Sequence, residues 1–263
     1  MELLIVAVIF LLILSLFVGH YRFYHITEKD RDTLFNLSGN TEQPVTREEL
    51  KVLPKIIKAY LVRAKVMGKC RDCHLIMKQR GRIRQKEGGN WLDFTAKQVM
   101  TSVPPGFVWA ARSFPIFVKD KCINGQGEVR VSFLGLKNMG VQLSREINES
   151  ALNRCLAELP LYPVGFLSPA IRWEELEGKS VRAKISVGST QTEGTFFFND
   201  QGLIERFESI RYKGDLLERF TGKLENYETL EGLYVPTKMT AIWNLAEGDF
   251  EYFNSEIIDY RID

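Results

Sequence analysis

The feature that most constrains this chain is an uninterrupted apolar run near its N-terminus, Leu3 to Gly19, which carries no charged residue. A helix rises ~1.5 Å per residue, so a run of this length just spans a hydrocarbon core of roughly 30 Å when its interfacial ends are included. The helical form is required because lipid cannot satisfy free backbone groups. Tyr21, Phe23 and Tyr24 follow as an aromatic belt. We therefore predict a transmembrane anchor over residues 1–21.

A cleaved signal peptide is the alternative to this uncleaved signal anchor. The run has no basic segment before it and no A-x-A site after it, and no cysteine precedes Cys70, so a lipobox is absent. Arg22, Lys29 and Arg31 follow the run and favour a cytoplasmic C-terminal domain by the positive-inside rule. Acidic residues in the same stretch weaken that preference, so the membrane side of the domain stays open.

The rest of the chain divides into a polar stem, residues 22–45, and one globular domain, residues 46–263. Thr46 and Glu49 match a capping box, which predicts a helix that begins there. A stronger helix is predicted in "SREINESALNRCLAELPLYP", with Ser144 as its N-cap and Pro160 at its end.

Short runs rich in aromatic and β-branched residues, separated by Gly and Asn, predict the remainder to be about ten antiparallel strands. Helical crossovers between strands are missing from the pattern, which argues against a parallel sheet. With 263 residues and 45% hydrophobic content, the chain has enough apolar material for a substantial core. We predict an α+β, mainly antiparallel fold: a curled half-barrel sheet with a few helices.

Charge excludes one broad class of partner. The 35 basic and 33 acidic residues leave a net charge of +2, without the concentrated basic face that nucleic-acid binding requires. We expect no nucleic-acid partner.

One short motif raises the possibility of redox or haem chemistry. Cys70, Cys73 and His74 spell the C-x-x-C-H pattern of covalent haem attachment. The segment continues into an amphipathic strand, on which the two thiols would point to opposite faces and fit haem poorly. We therefore interpret Cys70 and Cys73 as partly buried thiols at the start of a strand. A disulfide between them is possible if the domain is exported.

Other catalytic signals are weak. The globular part has a single histidine, His74, and lacks the common hydrolase, zinc-protease, phosphate-loop and dinucleotide motifs. A carboxylate-based enzyme is the alternative, although Asp93, Glu174 and Asp259 have no signal that separates them from surface charges. We expect neither a cofactor nor a metal site.

Aromatic residues supply the remaining signal. Seventeen phenylalanines and four tryptophans on a curved sheet are typical of core packing, but the same set can line an apolar cavity. Trp91 and Arg112 are interpreted as structural. The predicted lining of a ligand cavity, with Tyr234 at its mouth, is Phe107, Trp109, Phe196, Phe198, Tyr234 and Trp243.

Several phrases of the sequence resemble a bacterial, often membrane-anchored family that carries a domain of unknown function. They are "LPKIIKAYL", "WLDFTAKQ", "PPGFVWAAR", "LAELPLYP", "IRWE", "DQGLI" and "YVPTK", together with Asp120, Gly125 and Gly127. That family has no established activity, so no catalytic residue transfers. The order of elements also resembles the Lol-type lipoprotein carriers, a resemblance that implies a concave apolar surface suited to acyl chains.

We therefore predict a membrane-anchored, non-catalytic domain that binds an apolar or lipidic ligand, or a membrane partner. The anchor contacts membrane lipid, and the half-barrel takes the lipid or acyl ligand. The alternatives are the carboxylate-based enzyme and a redox or haem protein that uses Cys70, Cys73 and His74.

Overall fold

The computed structural model describes residues 1–39 and 43–263. The α-helices are α1 (Glu2–Leu37), α2 (Arg47–Lys51), α3 (Lys55–Arg63) and α4 (Arg145–Ala157), and α4 is followed by the 3-10 helices Leu159–Leu161 and Pro163–Leu167. The first strands are β1 (Leu75–Ile83), β2 (Leu92–Ser102), β3 (Pro105–Ser113), β4 (Ile116–Ile123), β5 (Gln126–Phe133) and β6 (Lys137–Gln142). The later strands are β7 (Ile171–Glu175), β8 (Ser180–Val187), β9 (Thr190–Phe198), β10 (Ile204–Lys213), β11 (Leu216–Leu230), β12 (Leu233–Leu245) and β13 (Gly248–Ile262).

All the strands described form one antiparallel sheet with the order β6-β5-β4-β3-β2-β1-β13-β12-β11-β10-β9-β8-β7. Two meanders, β1–β6 and β7–β13, join where β1 pairs with β13. The predicted curled antiparallel half-barrel is confirmed.

The predicted number of strands is wrong, because the sheet has 13 strands in the described ranges 1–39 and 43–263 rather than about ten. The run "GFVWAARSFPIFV" reads as one strand, but it is divided between β3 and β4 by a turn at Phe114 and Pro115. The other missed strand, β6, lies at the edge of the sheet and is largely exposed, so it lacks the alternation that marks a half-buried strand.

The two predicted helix starts are confirmed in detail. The Thr46 side chain accepts a hydrogen bond from the backbone N–H of Glu49, and the Glu49 carboxylate in turn accepts one from the backbone N–H of Thr46. Ser144 caps α4 by accepting from the backbone N–H of Ile147. These caps satisfy amides that would otherwise lack partners at the first turn of each helix.

The core lies on the concave face of the sheet, where α4 packs against strands of both meanders. Leu152 and Leu156 of α4 are completely buried there, together with Phe107, Phe196 and Phe207 from the sheet. The helices therefore fill much of the concavity, and only part of it is left for another molecule.

Helix α1 packs on the opposite, convex face. The segment predicted as a polar stem is helical as far as Leu37, and its side chains lie against β2, β3 and β4. Leu34 is fully buried against Val99 and Val108, which alternate with the concave-facing Met100 and Phe107. One helix thus continues from the apolar run onto the domain.

Candidate functional site

The candidate site is a cavity of about 210 Å³ between the C-terminal half of α4 and the concave face of the sheet. Successive side chains of a strand point to opposite faces of the sheet, so β3, β11 and β12 each direct every second side chain toward the concave face and the cavity. The apolar side chains that line it include Trp109, Phe220, Leu224, Met239, Ala241 and Phe253.

Gly222 leaves part of this cavity open. It lies between Phe220 and Leu224 on the cavity face of β11. A Cβ built at Gly222 would meet only the Phe220 ring, at 3.6 Å, which is an ordinary van der Waals contact. The space is thus maintained by the absence of a side chain at this position.

Trp109 is held in place at the cavity wall. Its indole Nε1–H donates a 3.0 Å hydrogen bond to the Oε1 atom of Gln79, which is itself buried. The Trp109 ring packs edge-on against Phe94 and against Phe253. A buried indole whose N–H is satisfied within the protein presents an apolar ring to the cavity.

A charged cluster forms the wall of the cavity beneath α4. Arg154 donates hydrogen bonds of 2.7 Å to Asp120 and 2.7 Å to Glu158. Gln98 completes the cluster by donating to Glu158 at 2.5 Å and accepting from Arg154 at 3.1 Å. Burying a charge costs free energy unless the charge is paired and hydrogen-bonded, and these contacts offset that cost for Arg154, Asp120 and Glu158.

A second cation, Arg211, lies beside the cavity and keeps some exposure to solvent. Its guanidinium donates two hydrogen bonds to the Ser150 hydroxyl, at 3.1 and 2.8 Å, and lies over the rings of Phe220 and Trp243. Among the residues described, no carboxylate is within ion-pair distance of it. Burial lowers the pKa of Arg211.

The same burial acts on the acids of the cluster. It raises the pKa of Asp120, although the Arg154 guanidinium pulls in the other direction. Burial lowers the pKa of Arg154, but Glu158 and Asp120 outweigh it and raise the pKa above its ordinary value. The site therefore combines an apolar volume with one charged wall, an arrangement that suits a small amphipathic ligand.

The structure disperses the six residues predicted as a lining. In the part of the chain that is described, Trp109 is the one that lines this cavity. Phe107 lies next to it under the Arg154 guanidinium, and Trp243 packs behind Phe220.

The remaining three lie elsewhere. Phe196 is completely buried in a ring cluster with Phe166 and Phe207, and Phe198 packs against Tyr60. Tyr234 packs against Tyr227 and not at the mouth of the cavity.

The C-x-x-C-H motif is occupied by structural contacts. Cys70 and Cys73 are joined in a disulfide at the entry to β1, not on the strand, so their sulfurs do not point to opposite faces. His74 stacks on Phe35 with ring centres 3.9 Å apart and is hydrogen-bonded to the Ser38 hydroxyl at 2.5 Å. The motif therefore joins the end of α1 to the start of the sheet.

The charged cluster escaped prediction, although α4 carries a signal for it. Arg154 and Glu158 are four residues apart and flank the apolar residues Cys155, Leu156 and Ala157 at the C-terminal end of α4. Residues four apart lie on the same face of a helix, so an oppositely charged pair next to an apolar stripe indicates an ion pair that faces the core. Asp120 and Gln98 carry no comparable signal, because their meeting with α4 depends on the fold.

Comparison with known proteins gives a family and two solved structures of low similarity. A family of unknown function, DUF6544, matches residues 43–255, in agreement with the resemblance seen in the sequence. A DUF1329 family protein from Desulfovibrio piger is 11% identical, with 84% of this chain and 94% of that chain covered and a TM-score of 0.47. A LolA superfamily protein from Nitrosomonas europaea is 12% identical, with 78% and 92% covered and a TM-score of 0.45. No curated protein matches the sequence.

Proposed function

The chain belongs to DUF6544, a family of unknown function, and we propose that it is a membrane-anchored, non-catalytic protein that binds a small apolar or amphipathic ligand beneath α4. The observation that carries the proposal is the cavity of about 210 Å³, with apolar side chains on most sides and a charged cluster on one.

The size of the cavity limits what fits. An apolar cavity of roughly 150 Å³ already holds a benzene molecule. A ligand a little larger, such as one end of a fatty acyl chain, matches the space in this half-barrel. Both carboxylates that reach the cavity, Asp120 and Glu158, are engaged by Arg154, which supports binding rather than acid–base catalysis.

Membrane anchoring is supported by α1. The helix is long and apolar enough to cross a bilayer, by length and composition. It has no break between the apolar run and the part that packs on the sheet, where Phe23 and Leu34 are buried. A continuous helix that is part of the folded domain favours an anchor over a cleaved signal sequence.

The disulfide supports an oxidising location for the domain. Disulfides persist outside the cytoplasm and are rare within it. We infer that the globular domain lies on the outer side of the membrane, against the weak preference of the positive-inside rule, and the Cys70–Cys73 disulfide supports this side. One of the basic residues after the span, Arg31, is paired with Glu28 and Asp32, which weakens that preference.

The ligand proposal is tested by filling the cavity through Gly222. The full chain is reconstituted in lipid nanodiscs and titrated with 8-bromooctanoate, whose bromine quenches indole fluorescence. Gly222→Val adds two methyl groups and a Cβ to the cavity, and Gly140→Val adds the same side chain on β6, where nothing lies within 4 Å of the Cβ.

We expect saturable quenching in the wild type and in Gly140→Val, and at least a tenfold weaker response in Gly222→Val. Trp109→Phe should lose most of the quenching, because Trp109 is the indole at the cavity. Equal responses from Gly222→Val and the wild type, with both proteins folded by circular dichroism, would overturn the proposed site.

A further inference from the structure

We propose that the turns between β3 and β4 and between β5 and β6 dip into the surface of the same membrane that α1 crosses, so that the half-barrel lies on the bilayer in one fixed orientation. The apolar tip, defined as Phe114, Phe133 and Leu134, is the inserted surface. This inference rests on the proposed anchoring by α1, and its occupant is the headgroup–acyl boundary of that membrane.

The position of the tip is fixed by a contact with α1. Gly19 is buried against the backbone of Leu134, and a Cβ at Gly19 would also come within 2.9 Å of Leu136. Gly19 is the last residue of the apolar run. The β5–β6 turn therefore lies at the height where the hydrocarbon core gives way to headgroups.

The neighbouring β3–β4 turn is hydrogen-bonded to the β5–β6 turn and so lies at the same depth relative to the membrane. The backbone N–H of Leu134 donates a 2.8 Å hydrogen bond to the carbonyl oxygen of Pro115. Ile116 pairs with Phe133 across the β4–β5 ladder. Both turns thus reach the membrane boundary together.

The tip exposes apolar side chains that the domain does not cover. Phe114 is 77% exposed and Phe133 is 43% exposed. Exposed aromatic side chains at the level of the headgroups are typical of residues that anchor proteins in the interface. Lys137 lies three residues after Leu134 and is exposed, so its positive charge is available to lipid phosphates.

The opposite end of the half-barrel is far from this surface. Phe35, which stacks on His74, is sixteen residues along α1 from Gly19, or about 24 Å of helix at ~1.5 Å per residue. Val52 lies at that distal end, close to Glu49, which forms a 2.8 Å ion pair with Arg71. Val52 is 85% exposed and provides a control of similar exposure.

The test places a fluorescent probe at each end of the full chain. Cys122 and Cys155 are buried and the other two cysteines are in a disulfide, so Phe114→Cys and Val52→Cys each add one reactive thiol. Each variant is labelled with the polarity-sensitive dye NBD and reconstituted in vesicles of phosphatidylcholine and phosphatidylglycerol. Lipids with a doxyl quencher near the top of the acyl chain then report on depth.

We expect blue-shifted NBD emission and at least twofold quenching by doxyl lipid at position 114, and water-like emission without quenching at position 52. Phe133→Cys gives a second reading of the tip and should behave like Phe114→Cys. Water-like emission at both tip positions, in protein that floats with the vesicles after a carbonate wash, would overturn the inference. Protein that fails to float would instead contradict the proposed anchor.

Discussion

Gly19 of α1 and Gly135 in the β5–β6 turn pack backbone against backbone. A Cβ on Gly19 would collide with the carbonyl oxygen of Leu134, and a Cβ on Gly135 would collide with the carbonyl oxygen of Gly19. Gly135 also has a φ of +72°, which residues other than glycine rarely adopt. Two glycines from distant parts of the chain therefore allow the helix to lie directly on the turn, and the rest of α1 follows from there along the convex face.

Gly19→Ala should loosen this contact. Alanine is the better helix former, so loss of stability would come from the collision with Leu134 and not from helix propensity. We expect a cost of about 1–3 kcal/mol and faster amide hydrogen exchange over Phe23–Leu37. Gly140→Ala, at a position with open space, should leave exchange unchanged. Equal exchange in both variants would show that the close approach is not required.

Asp30→Asn should weaken the attachment of α1 to the sheet. Asp30 pairs with the buried Lys119 and, at 2.7 Å, with Lys121. Removing its charge leaves Lys119 with Glu128 alone, and we expect a loss of about 2 kcal/mol in urea unfolding. Asp200→Asn, which breaks an exposed pair with Lys179, is the control and should have no measurable effect. A similar result for both variants would contradict a structural role for the buried pairs.

The ion pairs of Glu128 in the same network make the stability of the protein depend on pH. Burial raises the pKa of Glu128, but the hydrogen bond from Arg130 and the charges of Lys119 and Lys121 outweigh it and lower the pKa to about 2. A carboxyl whose pKa is depressed in the folded state contributes stability above its unfolded pKa and loses it as the pH falls toward 2. We expect thermal stability to fall between about pH 4.5 and pH 2. Glu128→Gln should be less stable at neutral pH and should flatten this fall, and an unchanged slope would count against Glu128 as its source.

Arg154→Met should be strongly destabilising, because it leaves Asp120 and Glu158 buried without their partner. Breaking a buried ionic network from one side typically costs about 3–5 kcal/mol. Arg145→Met removes an exposed partner of Glu149 from the same helix and should not change the midpoint of unfolding. A small effect of Arg154→Met would mean that water already reaches the two carboxylates.

The membrane side of the domain is tested by a reporter at the C-terminus. If the Cys70–Cys73 disulfide reflects an oxidising compartment, a C-terminal alkaline phosphatase fusion should be active and the corresponding green fluorescent protein fusion should be dark. The opposite pattern would place the domain in the cytoplasm and would leave the disulfide without its expected environment.

The sequence alone determined the features that depend on neighbouring residues. The apolar run predicted the helix that begins at Glu2, and the caps Thr46 and Ser144 predicted the helices that they open. Alternation predicted an antiparallel sheet, because the side chains of a half-buried strand must point alternately to water and to the core.

Only the tertiary structure decided which aromatic residues pack with each other and which face a cavity. Phe196 and Trp109 both alternate with outward-facing residues on their strands. Phe166 of the 3-10 helix Pro163–Leu167 packs on Phe196, whereas Gly222 leaves space in the cavity that Trp109 lines. The docking of α1 was also beyond prediction, because Gly19, Phe23 and Leu34 are too widely spaced to form an apolar stripe. Their burial depends on Leu134 of the β5–β6 turn at one end, on Val108 of β3 at the other, and on the buried Lys119 of β4 between them. Such partners are fixed by the curl of the sheet rather than by local spacing.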